Sequence, residues 1–176
     1  MVSRIASTLI GAVMALSVAG VAQAQDSTNQ VATKTAWSVF EDNDPRECWA
    51  VAAPKETVNT REGRIVSVNR SDILLMAFYR PGAGLEGQLT FTGGYGFADD
   101  APVTIDVDGT VFNLFTEGEW AWTDSPADDA KIITAMKRGR TAVVTGLSKR
   151  SRTTTKDTFS LSGFTAAIEE AQARCK

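Results

Sequence analysis

The chain has 176 residues, a formal net charge of −3 and no histidine. A mildly acidic protein of this size is a poor candidate for a general nucleic-acid binder or for a protein held on anionic membranes. Without histidine the chain lacks the commonest general base and the commonest transition-metal ligand. We therefore predict no metal site, no cofactor and no nucleic-acid partner.

The first 24 residues predict a cleaved signal peptide. Arg4 precedes an apolar run over 5–21, and the small-x-small sequence Ala-Gln-Ala at 22–24 ends it. This run is too short and too rich in Ala, Ser and Gly for a membrane-spanning helix, and no comparable apolar segment follows. We predict a periplasmic or secreted protein whose mature chain begins near Gln25 and which has no transmembrane segment.

The mature chain is predicted to be one domain. Residues 25–34 are polar and aperiodic, which favours a flexible N-terminal lead. Residues 35–176 have the length of a single domain. Cys48 and Cys175 are the only cysteines. In an oxidising compartment they most simply form one disulfide, with two separately buried thiols as the alternative.

Most of the domain is predicted to be extended. Asp108-Gly109 is a strong signal for a two-residue hairpin. Counting outward from this turn pairs Val107 with Thr110, Ile105 with Phe112 and Val103 with Leu114. Eight or nine short strands are expected in all, at 37–41, 46–51, 73–78, 88–92, 103–107, 110–115, 120–122, 141–147 and 153–161.

Two helices interrupt the strands. Ser125-Pro126 is typical of a helix start and Gly139 of a helix end, with Ile132, Ile133 and Met136 as the buried stripe. A last helix is predicted from about 162–163, with one apolar face formed by Phe164, Ala167, Ile168, Ala171 and Cys175. We therefore predict a mainly β fold: a single antiparallel β-sandwich or flattened barrel with two short-to-medium helices, one of them C-terminal.

Three motifs resemble catalytic or cofactor signatures but lack the required context. The G-x-G-x-x-G pattern at 82–87 leads into a strand, whereas dinucleotide binding needs a helix there. Ser148-Lys149 would need a desolvated lysine to act as a nucleophile pair, and it falls in a charged turn. The aspartate pairs 106/108 and 128/129 belong to a turn and to the first turn of a helix, where solvated structural roles explain them. No catalytic residue is predicted, and we do not expect an enzyme.

Two groups of side chains are candidates for binding. Basic residues surround two turns at opposite ends of the strand 141–147, and they form either a solvated rim or a docking surface for an anionic partner. The two basic groups are Lys149, Arg150 and Arg152 at one end and Lys137, Arg138 and Arg140 at the other. Trp120 and Trp122 share one face of a strand. Burial is the commoner fate of such rings, but beside Tyr95 in the loop 93–97 they are the best candidates for a ligand platform.

Several of these segments resemble one protein family. The segments are Gly-Gly-Tyr-Gly-Phe at 93–97, Val-Phe-Asn-Leu-Phe at 111–115, Trp-Ala-Trp at 120–122, 133–139 and the long block 146–168. Together with Cys48-Trp49 and Cys175 they resemble the invasion-associated locus B family. The resemblance implies an exported α-proteobacterial β-rich domain, linked in some pathogens to host-cell entry, with no known enzymatic reaction. The sequence departs from the family at Gly96, often proline, and at Ser151, often glycine.

These observations support two hypotheses for function. The first is an exported, non-enzymatic envelope or host-interaction protein that binds an unknown anionic protein or envelope component. Its contacts would be Lys149, Arg150 and Arg152, with the group at 137–140 second. The alternative is a small-ligand or glycan-binding β domain that uses Trp120 and Trp122.

Overall fold

The computed structural model describes residues 29–176, so the predicted signal peptide at 1–24 lies outside the described residues. The described chain contains twelve strands and two α-helices, and a short 3-10 turn at Pro81–Ala83. The strands are β1 (Gln30–Lys34), β2 (Trp37–Asn43), β3 (Arg46–Ala52), β4 (Glu56–Arg61), β5 (Arg64–Ile65), β6 (Leu74–Arg80), β7 (Leu85–Thr92), β8 (Val103–Val107), β9 (Thr110–Glu117), β10 (Trp120–Trp122), β11 (Thr141–Leu147) and β12 (Thr154–Ser160). The helices are α1 (Pro126–Arg138) and α2 (Phe164–Arg174).

All the strands join one antiparallel sheet in the order β1-β2-β3-β6-β7-β10-β9-β8-β11-β12-β4-β5. The sheet is not closed, because β1 and β5 are its two ends. It folds back on itself, so that Phe91 of β7 and Phe159 of β12 meet edge to face with ring centroids 6.1 Å apart. The predicted mainly β, antiparallel architecture with two helices is confirmed, and the open sheet excludes a closed barrel.

The hairpin at Asp108-Gly109 has the predicted register. Val107 pairs with Thr110, Ile105 with Phe112 and Val103 with Leu114. Both turn residues have positive φ, 45° for Asp108 and 97° for Gly109, as this type of turn requires. Local turn chemistry is therefore sufficient to predict how β8 and β9 align.

The C-terminal helix packs on the inner face of the sheet. The predicted apolar face of α2 is buried throughout, from Phe164 to Ala171, and Trp37 of β2 lies against Phe164 at a centroid distance of 4.8 Å. Cys48 and Cys175 form a disulfide across 127 positions, as predicted. The bond attaches the end of α2 to β3.

Helix α1 begins at the predicted cap, since Ser125 Oγ accepts a hydrogen bond from the backbone N–H of Asp128. The expectation that Asp129 is solvated is wrong, because this carboxylate is buried. Its Oδ1 accepts a 2.7 Å hydrogen bond from the backbone N–H of Leu89. The pairing of β7 with β10 ends at Thr90, so the N–H of the neighbouring Leu89 has no partner in β10. Asp129 accepts the hydrogen bond that a neighbouring strand would otherwise accept.

The predicted flexible lead is wrong for Gln30–Lys34, which form the edge strand β1 on β2. The end of β1 and the residues after it are held by the segment that leads into α2, because Ala36 N donates to Ser162 O and the backbone of Lys34 packs against Gly163. Sequence reasoning also missed β4 and β5, whose polar residues carry no clear alternation. Trp49 of β3 is half-buried on the outer face of the sheet.

Candidate functional site

The two basic groups lie at opposite ends of β11, as predicted. Seven residues of extended chain separate them, which corresponds to about 20 Å. At the first end Lys137 Nζ lies 3.6 Å from Glu169 Oε1, and Arg138 and Arg140 are exposed. One ligand of ordinary size therefore contacts one group or the other.

The turn between β11 and β12 is partly neutralised by neighbouring carboxylates. Lys149 Nζ lies 2.7 Å from Asp99 Oδ2, and Arg152 donates to both oxygens of Asp100 at 2.7 and 2.9 Å. The hydrogen bond from Arg152 holds the pKa of Asp100 below its usual value. Among the described residues, Arg150 alone of the three predicted cations at this turn has no carboxylate partner.

A cleft of about 590 Å³ opens beside this turn. The predicted residues Tyr95, Lys149 and Arg150 all line it, whereas Arg152 and the tryptophans do not. Nine other residues line the cleft, most of them polar, and four of the nine have hydroxyl side chains. The nine residues are Val68, Asn69, Arg70, Gly96, Glu119, Ser148, Ser151, Thr153 and Thr155. The cleft can therefore offer a ligand the cations of Lys149 and Arg150 within a polar wall that also includes the carboxylate of Glu119.

A buried ion pair supports the wall of the cleft. Arg70 donates to Asp157 through Nη1 to Oδ1 at 2.8 Å and through Nη2 to Oδ2 at 2.6 Å. The two side chains are 5% and 0% exposed. Arg70 Nε also donates to Gly93 O at 2.7 Å, so the pair ties the loop 93–97 to β12.

Sequence analysis missed both members of this pair. Asp157 did carry a signal, since it occupies an inward position of β12 between Thr155 and Phe159. A carboxylate at such a position needs a buried cation or several donors. Arg70 carried no signal, because it lies in an irregular segment 87 positions away from its partner.

Tyr95 is fixed over β11 and β12 rather than free to swing. Its hydroxyl lies 2.6 Å from Thr155 Oγ1, and the Arg70 guanidinium carbon lies 5.1 Å from its ring centroid. Burial raises the pKa of the Tyr95 hydroxyl above its ordinary value. A Cβ at position 146 would lie 2.7 Å from the Tyr95 oxygen, so glycine at that position makes room for the ring.

The two predicted platform tryptophans line a different cavity. A groove of about 350 Å³ on the outer face of the sheet is bounded by Trp120 and Trp122 of β10 and by Phe78 of β6. Gln88 and Thr90 of β7 lie between them. Tyr95 is not part of this groove, so the structure does not bring the three predicted aromatic residues together.

The described residues contain no cluster of three or more His, Cys, Asp or Glu side chains that could hold a metal ion. Within 29–176, no helix is long and apolar enough to cross a membrane.

Comparison with known proteins identifies the family. The family model described as Invasion associated locus B (IalB) protein matches residues 37–172. The fold is similar to the crystal structure of invasion associated protein B from Bartonella henselae, with a TM-score of 0.54 and 15% identity over 81% of this chain and 95% of that chain. No curated protein matches the chain. Because the family model covers most of the residues, the chain belongs to the invasion associated locus B family.

Proposed function

We propose that this chain is an exported, non-enzymatic binding protein that holds an anionic group of its partner in the cleft beside the β11–β12 turn. The observation that carries the proposal is the position of Arg150, a cation without a carboxylate partner in the described chain, at the wall of a preformed cleft. The partner is an anionic protein or envelope component. Its carboxylate or phosphate would meet Arg150 first.

Lys149 supports the same ligand despite its ion pair. The side chains of Lys149 and Asp99 are 65% and 79% exposed. Ion pairs this exposed are weak and exchange readily with other partners. An incoming anion can therefore replace Asp99, whereas the two-pronged pair of Arg152 with Asp100 is the harder one to exchange.

The hydroxyl groups of the cleft favour binding over nucleophilic chemistry. Thr153 Oγ1 accepts from Arg61 Nη2 at 2.9 Å and from Ser151 Oγ at 2.9 Å. Thr155 Oγ1 is held by Tyr95. These hydroxyls are engaged with other side chains of the wall and fix its shape. The departures at Gly96 and Ser151 also line the cleft, which favours a ligand particular to this chain.

The proposal is tested with a photo-crosslinking residue in place of Asn69, which is exposed on the cleft wall. The full-length protein is expressed in intact cells and irradiated at low and high salt. We expect a discrete adduct whose yield falls with salt. Arg150→Glu should reduce it by about tenfold or more, because one charge-assisted hydrogen bond is worth about 1.5–3 kcal/mol.

Arg138→Glu is the matched control, since it reverses an exposed charge at the other end of β11. We expect it to leave the adduct unchanged, and Arg150→Glu to unfold at the temperature of the wild type. An adduct that survives Arg150→Glu, or one that is insensitive to salt, would contradict the proposal.

A further inference from the structure

The groove on the outer face of the sheet is an independent candidate site. Trp120 and Trp122 form one wall and Phe78 the other, and the strand between them, β7, contributes Gln88 and Thr90 as the floor. Strand pairing fixes this arrangement, because Phe78 lies opposite Gln88 and Trp122 lies opposite Thr90. The groove therefore has aromatic walls and a hydrogen-bonding floor.

We propose that this groove binds one ring of a glycan, namely a neutral pyranose whose substituents are equatorial, as in β-1,4-linked glucose or N-acetylglucosamine. Such a ring has apolar C–H faces and a polar edge of hydroxyl groups. Its faces fit against the aromatic walls, and its edge meets the amide of Gln88 and the hydroxyl of Thr90. This proposal does not depend on ligand binding in the cleft beside the β11–β12 turn.

The width of the groove fits a single ring. The wall strands β6 and β10 are both neighbours of β7, so about 10 Å separates them. Phe78 and Trp122 pair with residues two apart on β7, so the two rings are diagonal neighbours across the groove. A gap of this width holds one saturated six-membered ring that stacks on one aromatic side chain, at carbon contacts of about 3.5–4.0 Å, with its edge over the floor. A flat apolar side chain would also fit this width, but it would leave the floor polar groups without partners, which is unfavourable.

The charge of the groove favours a neutral ligand. Its one cation is Arg80, whose Nε lies 2.7 Å from Glu47 Oε1. The N–H is not directed at that oxygen, so the contact is an ion pair rather than a hydrogen bond. The guanidinium also lies over the ring of Phe78, 5.1 Å from its centroid. An acidic ligand would have to compete with Glu47 for the charge.

Both walls are held in place before any ligand binds. Phe78 stacks on Trp49, with centroids 6.0 Å apart, and Trp49 stacks on Phe40 at 5.4 Å. On the other side Ala121 is fully buried between the two tryptophans and holds β10 against the core. Walls that do not have to be ordered on binding reduce its entropic penalty.

The aromatic surface continues past Trp122, which indicates more than one sugar. The ring of Phe115 on β9 lies 6.0 Å from that of Trp122, and Phe115 is 57% exposed. Trp120 is 45% exposed. Large rings exposed side by side on a sheet face are unusual unless they contact a ligand or partner.

The test is a titration of the purified protein with chitotetraose and with cellotetraose, followed by tryptophan fluorescence and by calorimetry. We expect at least one of them to bind with a dissociation constant below about 10 mM. Trp122→Ala should weaken that binding about tenfold or more, and Thr90→Val, which keeps the side-chain shape, about threefold to tenfold.

Val111→Ala is the control, since Val111 is exposed on β9 and does not line the groove. It should leave the affinity unchanged. Trp120→Ala gives a second reading if Trp122→Ala unfolds at a lower temperature. The proposal would be overturned if neither sugar binds, or if both tryptophan variants bind with the affinity of the wild type.

A photo-crosslinking residue at position 115 tests for a protein occupant in intact cells. A single protein adduct at this site, combined with no sugar binding, would likewise overturn the proposal. Binding in the cleft beside the β11–β12 turn is tested separately with Arg150→Glu. Failure of one proposal therefore does not refute the other.

Discussion

The buried pair of Arg70 and Asp157 gives the sharpest prediction for stability. Asp157→Asn removes the charge that compensates a guanidinium only 5% exposed. It also replaces one of the two carboxylate oxygens, which accept hydrogen bonds of 2.8 and 2.6 Å, by an NH2 group that faces an arginine donor. Loss of one partner of a buried ion pair destabilises a protein by about 3–5 kcal/mol. For a domain of this length each kcal/mol lowers the melting temperature by about 2–4 °C, so we expect a fall of about 10 °C.

The assay is urea unfolding of the wild type and the variant at pH 7. Asp100→Asn is the matched control, because Asp100 also accepts two hydrogen bonds from an arginine but is solvent-exposed. Water can solvate the exposed guanidinium of Arg152 after its carboxylate partner is lost. Asp100→Asn should therefore change the free energy of unfolding little. Arg70→Met combined with Asp157→Leu should recover most of the lost stability. A loss below about 1 kcal/mol in Asp157→Asn would refute this account of the pair.

Three further predictions concern the rest of the fold. Cys48→Ser combined with Cys175→Ser should lower the free energy of unfolding by about 2–4 kcal/mol in urea titrations, because the disulfide closes a loop of 127 positions, and an unchanged midpoint would refute it. Burial raises the pKa of Asp129, so ionisation of this carboxyl group opposes folding. Asp129→Asn should therefore have a larger free energy of unfolding than the wild type at neutral pH, and this difference should vanish as the pH falls from the raised pKa through the ordinary one. A difference that does not depend on pH would contradict the prediction. Gly163→Ala should detach β1, because the added Cβ would collide with Lys34 O and because the backbone at this position has φ of 88°. The expected result is faster tryptic cleavage after Lys34, and resistance equal to that of the wild type would contradict the prediction.

Features that depend on neighbouring residues could be predicted from the sequence. The register of β8 and β9 follows from Asp108-Gly109, because a two-residue turn leaves only one way to pair the flanking strands. The start of α1 follows from Ser125 in the same way. The disulfide was accessible for a different reason, since a chain with two cysteines has only one possible pairing.

Features that depend on distant residues could not be predicted. Lys149 and Tyr95 share the cleft because Lys149 N donates to Gly96 O, a contact between segments about 50 positions apart. The groove joins β6 to β10 through β7, and nothing local to Trp120 indicates that Phe78 lines the same groove. Sequence reasoning identified three of the twelve residues that line the cleft and two of the six that line the groove. The others are brought there by contacts between segments distant in sequence, which only the folded chain reveals.

The open ends of the sheet affect the solubility of the protein. A free strand edge presents unpaired backbone groups to which another chain can add, and this is a common route to aggregation. Here β5 has only two residues, Arg64 and Ile65, and β1 has a register irregularity between Gln30 and Ala32. Because β5 pairs only with Thr60 and Arg61, β4 is also an open edge over 56–58 in the described chain. One open edge is therefore a few residues long and the other is uneven, so neither can template a long further strand, and the unclosed sheet does little to promote edge-to-edge association between molecules.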